Sequence, residues 1–405
     1  MRFYKNLIPP IWQTARAILQ EGAHAHRSIQ QLLRSNKKWG SRDRRFVAEQ
    51  IYELIRWYRL YYEVALERPP ETEADWWLML KTAWLLQGHQ PPEDWPEMQG
   101  LDSLEIWRRH RVAVENRAIR ESIPDWLEER ALQEVGEERW AKLLPALNSS
   151  ADVVLRSNSL KAPRQKVLHR LRKEGLPVEL LGDREALVLG QNRKFTHLKS
   201  YEEGWFEVQD YASQQLAHFL KPQAGRYLVD ACAGAGGKSL HLAALMKNRG
   251  EILSMDLSEH KLKELRKRAK RAGVSIIKTE KIPASGRFSP AYYNMADYLV
   301  LDVPCSGLGV LRRNPQTKWI IKPEFLEEIQ ATQAHILREY SLLCKPGGQL
   351  LYATCSILPS ENEWQVQRFL QSPDGQEFEL LKEQHLGPDR GPEDGFYMAL
   401  LQRKG

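Results

Sequence analysis

Cysteine is scarce in this chain, with four residues in 405, at positions 232, 305, 344 and 355. So few thiols, all in the second half, exclude a disulfide framework. No Cys-x-x-Cys pair or His/Cys cluster offers a zinc site, and the eleven histidines are scattered, so no metal is expected. Long apolar runs are also missing, and the longest fall well short of a membrane span. The opening Met-Arg-Phe-Tyr-Lys leads into no signal-peptide core, so a cytoplasmic chain without a membrane partner is expected.

What is present is an ordinary globular composition, 42% hydrophobic and 27% charged, with room for two or three domains. A net charge of +7 permits a polyanionic partner without proving one. Residues 1–147 hold ten of the thirteen tryptophans and read as helical, which favours core packing in a small bundle over base-stacking platforms. Helices are expected at Ile11–Gln20 and His24–Leu33. A longer one, Arg42–Trp57, has Ser41 as its cap and Phe46, Ile51, Leu54 and Ile55 as its buried stripe. Arg16, Arg27, Arg34, Lys37, Lys38, Arg42, Arg44 and Arg45 suit phosphates, or equally a solvated face. From Ala151 the texture changes to a small α/β subdomain over 148–207. There Arg156 and Asn158 could meet a nucleic-acid backbone or finish a strand edge.

Residues 208–405 alternate strand and helix. Tyr227–Asp230 runs into Ala231-Cys-Ala-Gly-Ala-Gly-Gly-Lys-Ser239 and then a helix, the first unit of a doubly wound fold. A phosphate-gripping loop needs Gly six residues before its Lys, and Cys232 stands there; a dinucleotide fingerprint from Gly234 wants a small third residue and finds Ser239. Glycines that let backbone approach closely, ahead of a helix amino terminus, suit a ligand with a carboxylate, such as S-adenosylmethionine. Asp256, ending the strand Glu251–Asp256, is placed to accept ribose hydroxyls or to cap the next helix with Ser258. Val274–Lys278 reads as the third strand. Tyr298–Asp302 is the fourth and Gln349–Ala353 the fifth, with a helix from Glu324 to Cys344 between them. A capping box at Ser360–Glu363 opens another helix, and Glu377–Leu381 with Gly395–Gln402 closes a seven-stranded mixed sheet. Two strands each deliver a cysteine at the carboxyl end: Asp302-Val-Pro-Cys-Ser306 and Thr354-Cys-Ser356. Packing cysteines would be the plain reading, and Cys344 is taken as core.

Taken together, Phe206-x-Val-Gln-Asp210, Asp230-x-Cys-Ala-x-x-Gly-Gly-Lys238, Leu301-Asp-x-Pro-Cys-Ser306, Arg313-x-Pro-x-x-Lys-Trp319, Lys345-Pro-Gly-Gly348, Tyr352-x-Thr-Cys-Ser356, Pro359-x-Glu-Asn-Glu363 and Asp394-Gly-Phe396 resemble the Sun-type (RsmB/Nol/Nop/Sun) RNA 5-methylcytosine methyltransferases. The amino-terminal part, around Arg42–Trp57 and Ile123–Leu127, is more loosely similar to the NusB-type RNA-binding domain of the RsmB branch. The resemblance implies a Rossmann-like class I methyltransferase domain at 208–405 behind the small α/β subdomain and an all-α NusB-like domain at 1–147. It also implies S-adenosylmethionine as cofactor and RNA, most of all ribosomal RNA, as partner of a monomer. By the same resemblance Cys355 is the nucleophile that adds to cytosine C6, Cys305 aids product release, and Asp302 bonds the base. Lys238 orders the loops. Cys232, Ala233, Gly234, Ala235, Gly236, Gly237 and Lys238, with Asp256 and Asp302, hold the cofactor. Gly234-Ala235 replaces the family's usual Ala-Pro, Gln316 stands where an acid is common, and Glu280 replaces an adenine-reading Asp. The alternatives are the same chemistry on transfer RNA, or a non-catalytic RNA-binding or ribosome-assembly factor that keeps the fold.

Overall fold

The computed structural model describes residues 4–92, 94–189 and 195–405; Met1–Phe3, part of the opening stretch read above, lie outside them. Residue contacts divide the chain into two compact units, Met1–Ser149 with Leu311–Pro323, and Ser150–Val310 with Glu324–Gly405.

The first unit is helical. Ile8, Ile11, Trp12, Ala15 and Ile18 recur at helical spacing on Ile8–Gln20 and are buried, as are Val47, Ile51, Leu54 and Ile55 on Ser41–Arg56. Ser41 is the first helical residue there rather than the cap: Gly40 caps, and its N–H donates to the Asp43 carboxylate at 3.1 Å. Trp12, Trp76, Trp77, Trp84 and Trp140 are core, and the indole N–H groups of Trp84 and Trp140 find Gln50 and Glu128 at 2.7 and 2.6 Å. Buried indoles usually find such a partner, although those of Trp12 and Trp76 have none among the described residues. Trp107 is the exposed exception, 42% accessible.

The segment Leu311–Pro323 completes this unit by satisfying one helix end. The last carbonyls of an α-helix have no partner within it. Here Trp319 Nε1 donates to the Ile55 carbonyl at 2.6 Å and Lys318 Nζ to the Arg56 carbonyl at 2.7 Å, with Asn148 Oδ1 3.0 Å from the same ammonium. Lys318 is wholly buried, and burial pushes its pKa far below the usual lysine range.

The second unit holds two sheets. Strands β1 (Val153–Ser157), β2 (Val178–Leu180), β3 (Ala186–Leu189) and β4 (Phe206–Val208) form an antiparallel sheet in the order β2-β3-β1-β4, with helix Arg164–Lys173 between β1 and β2. Arg156 and Asn158 do not face outward. Both are buried, Arg156 against the Gly237 carbonyl at 2.7 Å and Asn158 against the Gly204 and Ala272 carbonyls at 2.9 Å.

The large sheet is the expected seven-stranded mixed sheet of a Rossmann-like α/β fold. Its strands are β5 (Tyr227–Asp230), β6 (Glu251–Asp256), β7 (Ile277–Lys281), β8 (Ala296–Asp302), β9 (Cys344–Thr354), β10 (Phe378–Leu386) and β11 (Phe396–Arg403), ordered β10-β11-β9-β8-β5-β6-β7. Strands β5 to β9 are parallel to one another, and β11 runs antiparallel between β9 and β10. The chain winds from β5 outward to β7 and then crosses to β8 on the other side of β5, so the order reverses between β5 and β8. Ligands of open α/β sheets bind at the carboxyl ends beside such a reversal.

Three local readings need correction. The third strand starts at Ile277, not Val274, because Gly273 ends the preceding helix in a left-handed conformation (φ +74°) and Val274 packs back against that helix. The helix before β9 stops at Ser341; Cys344 is core as expected, but it begins the strand. Ser360 caps no helix: Pro359–Glu361 is a 3-10 turn, and the helix Glu363–Gln371 starts from Asn362. Among the described residues no helix is long and apolar enough to cross a membrane.

Candidate active site

Strands β8 and β9 run parallel with Asp302 opposite Ala353, and the Val303 N–H closes the ladder on the Ala353 carbonyl at 3.0 Å. The chain beyond each strand then turns, and the two turns carry the cysteines to each other. Cys305 Sγ and Cys355 Sγ lie 3.1 Å apart. The hydrogen bond to Cys355, with burial, pushes the Cys305 thiol far above its usual pKa. Asp302 Oδ2 receives the Lys238 ammonium at 2.5 Å, with both side chains three-quarters or more buried. Burial alone would lower the lysine pKa, but the carboxylate outweighs it and the pKa ends above the usual value. The four residues that the family resemblance singles out for catalysis therefore meet at one sheet edge.

A buried carboxylate to which the sequence reading gave no role of its own holds the two cysteine turns together. Glu361 is fully buried. It accepts the Ser306 N–H at 2.8 Å, the Ser306 hydroxyl at 2.6 Å, the Ser356 hydroxyl at 2.5 Å and Gln333 Nε2 at 3.0 Å. Asn362 adds a bond to the Ser356 carbonyl at 3.1 Å. Gly309 then fits against both: a Cβ there would sit 2.2 Å from the Gly395 carbonyl oxygen and 2.7 Å from that of Cys355. We expect Glu361→Gln to cost about 1–3 kcal/mol in urea unfolding, because one amide N–H must face donors where a carboxylate oxygen stood. Catalysis should fall by more than that stability loss explains, since Ser306 and Ser356 adjoin the thiols. An unchanged rate would show that the clamp is only structural.

The glycine-rich turn Ala231–Gly236 closes the carboxyl end of β5. Gly236 sits at φ +83°, where a Cβ would also strike Leu265 Cγ at 2.4 Å, so helix Gly237–Leu245 packs directly on helix Glu259–Ala272. From the latter helix Arg268 donates to the Ala235 carbonyl at 2.8 Å, while Arg268 and Arg271 pair with buried Glu207 at 2.9 and 2.5 Å. Part of the basic run thus braces the turn. Asp256 Oδ2 accepts the Gly234 N–H at 2.9 Å and Oδ1 the Ser258 N–H at 2.8 Å, so the capping reading is realised. Each oxygen keeps a lone pair for a further donor. Cys232 is half-buried, and burial pushes its thiol well above the usual range. Glu280, on β7 opposite Met255, accepts the Tyr292 hydroxyl at 2.5 Å, a partner that no spacing announced.

Asp230 is 1% exposed; Oδ2 takes the Ser239 hydroxyl at 2.6 Å, and Oδ1 has no hydrogen-bond partner among the described residues. Burial raises its pKa from 3.8 to about 6. The folded chain therefore holds this proton more tightly than the unfolded one. The stabilisation is complete below about pH 4 and is lost as pH rises through about 6, on the order of 3 kcal/mol in all. Asp230→Asn should accordingly gain melting temperature over the parent progressively between pH 4 and pH 7. Parallel melting curves would refute the burial argument.

Outside this site, Glu185, His218 and His241 converge, although 33 and then 23 positions separate them in the chain.

Residues 217–402 match the profile of the family described as 16S rRNA methyltransferase RsmB/F, and residues 123–196 match the Methyltr_RsmF/B-like ferredoxin-like domain. The β2-β3-β1-β4 order, with helices after β1 and β3, is the arrangement that the second description implies. The chain is 32% identical over 309 residues to the probable ribosomal RNA small subunit methyltransferase B of Bacillus subtilis (strain 168), covering 72% of this chain and 69% of the relative. The crystal structure of PH0851 superposes with a TM-score of 0.81 at 24% identity, over all of both chains. A methyltransferase homolog protein from Pyrococcus horikoshii, 25% identical, superposes at 0.61 over 71% of this chain and 97% of its own.

Proposed function

Since the chain belongs to the RsmB/F family of S-adenosylmethionine-dependent ribosomal RNA methyltransferases, we propose that it methylates C5 of a cytosine in small-subunit ribosomal RNA, with Cys355 as nucleophile. The observation that carries this reading is the pair of thiols 3.1 Å apart beside the Lys238–Asp302 ion pair.

Cytosine C5 is too weak a nucleophile to take a methyl group unaided. Addition of the Cys355 sulfur to C6 makes C5 enamine-like, which splits one hard step into two easier ones. Asp302, with Oδ2 on Lys238, has Oδ1 left for the N3/N4 edge of the base, where it favours protonation as sulfur adds. After transfer, loss of the C5 proton and cleavage of the sulfur–C6 bond return the aromatic base and the free Cys355. Cys305 assists this release. The target base must be single-stranded or turned out of its stack to meet the thiol.

The cofactor, S-adenosylmethionine, supplies an electrophilic methyl on a sulfonium. The residues around the glycine-rich turn fit it: among the described residues Asp230 Oδ1 is a buried acceptor without a donor, and Asp256 keeps lone pairs for two hydroxyls. Backbone at Cys232, Ala233, Gly234, Ala235, Gly236 and Gly237 would line it, and Lys238 and Asp302 would stand between it and the base. Glu280, oriented by Tyr292, would face the adenine.

Incubation with isolated small-subunit RNA and methyl-labelled cofactor should give 5-methylcytosine, mapped by bisulfite sequencing. Label on transfer RNA alone would change the substrate. No label on any RNA would favour a non-catalytic assembly factor.

A further inference from the structure

Glu185 in the turn before β3, His218 on helix Tyr211–Leu220 and His241 on helix Gly237–Leu245 form a cluster whose ligand atoms all lie within 4.8 Å of one another. His218 Nε2 is 2.7 Å from Glu185 Oε2, His241 Nε2 is 3.8 Å from the same oxygen, and the two rings stand nearly perpendicular with centroids 5.0 Å apart. The Glu185–His218 contact explains itself as a hydrogen bond. His241 does not, for it is 1% exposed and among the described residues neither ring nitrogen has a hydrogen-bond partner, Glu185 being too far at 3.8 Å. Buried imidazole nitrogens without partners are costly and rare.

We propose that Glu185, His218 and His241 bind one divalent transition-metal ion of the zinc class, with water completing the shell. Two ligands of a tetrahedral zinc, each about 2.1 Å from the ion, lie about 3.4 Å apart. The observed 2.7 and 3.8 Å bracket that spacing, so modest side-chain rotation closes the site. Two imidazoles and one carboxylate select zinc-like ions over magnesium or calcium. Burial pushes His241 down to about 3, so it offers a neutral ring at neutral pH. Despite burial, the His218 contact holds the Glu185 carboxyl well below its usual range. Glu185 and His218 are 18% and 15% accessible, which leaves a route for the ion.

Arg156 is the opposing group. Its charge acts on His241, although Glu207 offsets part of it and the guanidinium is engaged by Gln209 and the Gly237 carbonyl. Binding should therefore be weaker than at a site without a neighbouring cation. The ion would tie the turn into β3 to the two helices on either side of the glycine-rich turn, and so fix the helix that carries Lys238.

The full-length chain, stripped with a chelator and dialysed against zinc chloride, should retain one zinc per chain and melt at a higher temperature with zinc than without. In a Cys305→Ala/Cys355→Ala background, cobalt(II) should give visible d–d bands without thiolate charge transfer. Glu185→Gln and His218→Gln, both at partly exposed positions, should each weaken zinc retention at least about tenfold and abolish the melting shift. A folded parent that retains no zinc overturns the proposal, as does retention unchanged in both variants.

Discussion

Cys355→Ala should lower methyl transfer to small-subunit RNA by at least about 10⁴-fold and eliminate every covalent protein–RNA species. On the proposed reading Cys355 supplies the sulfur whose addition at C6 activates C5, so its loss removes that step. Cys305→Ala should behave differently. The adduct forms, the methyl group transfers, and release stalls, so a protein–RNA conjugate that survives denaturing electrophoresis should accumulate with time. The two sulfurs are only 3.1 Å apart, so placement alone does not assign the roles. Their environments differ: the bond to Cys355 together with burial raises Cys305. If Cys355→Ala traps the conjugate and Cys305→Ala forms none, the assignment is reversed.

Asp302→Asn should cut methyl transfer by about 10²–10⁴-fold, the usual range for a positioned acid or base. It should also destabilise the fold, by about 3–5 kcal/mol, because Lys238 would be left as a largely buried charge without its partner. The two effects separate in the double variant Lys238→Met/Asp302→Leu. There the unpaired charge is gone, so the melting temperature should recover most of its loss while methyl transfer stays undetectable. Recovery of activity along with stability would reduce the pair to a structural role.

Much of this molecule was readable from its residues because the signals are local. Apolar runs that follow a glycine placed β5, β6 and β11 within a few residues, the apolar run ending at Asp302 placed β8, and the alternation of strand and helix led to the mixed sheet. The errors came where two local signals competed. Val274 continues an apolar pattern, yet the left-handed Gly273 turns it back onto the helix it follows. Lys345-Pro-Gly-Gly348 looked like a break between helix and strand, but it lies inside β9, whose first residue is Cys344. Ser360–Glu363 satisfies the pattern of a capping box, yet the acid of consequence is Glu361, and its partner Ser306 lies 55 residues away. Partners at such separations leave no periodicity to detect. The same holds for Tyr292 with Glu280 and for Glu185 with two histidines from different helices.

Leu311–Pro323 has a bearing on how the protein can be dissected. Because these thirteen residues fold with the helical unit although they lie between β8 and β9, the polypeptide is laced through that unit twice. A fragment starting at Ser150 would carry Lys318 and Trp319 with no Ile55, Arg56 or Asn148 to receive them. It would display an indole and an ammonium without their partners on its surface. Cutting the linker near Ser149 in the intact chain, by contrast, should leave the two pieces threaded together and co-eluting. The helical part is therefore built as an interlocked half rather than a detachable appendage.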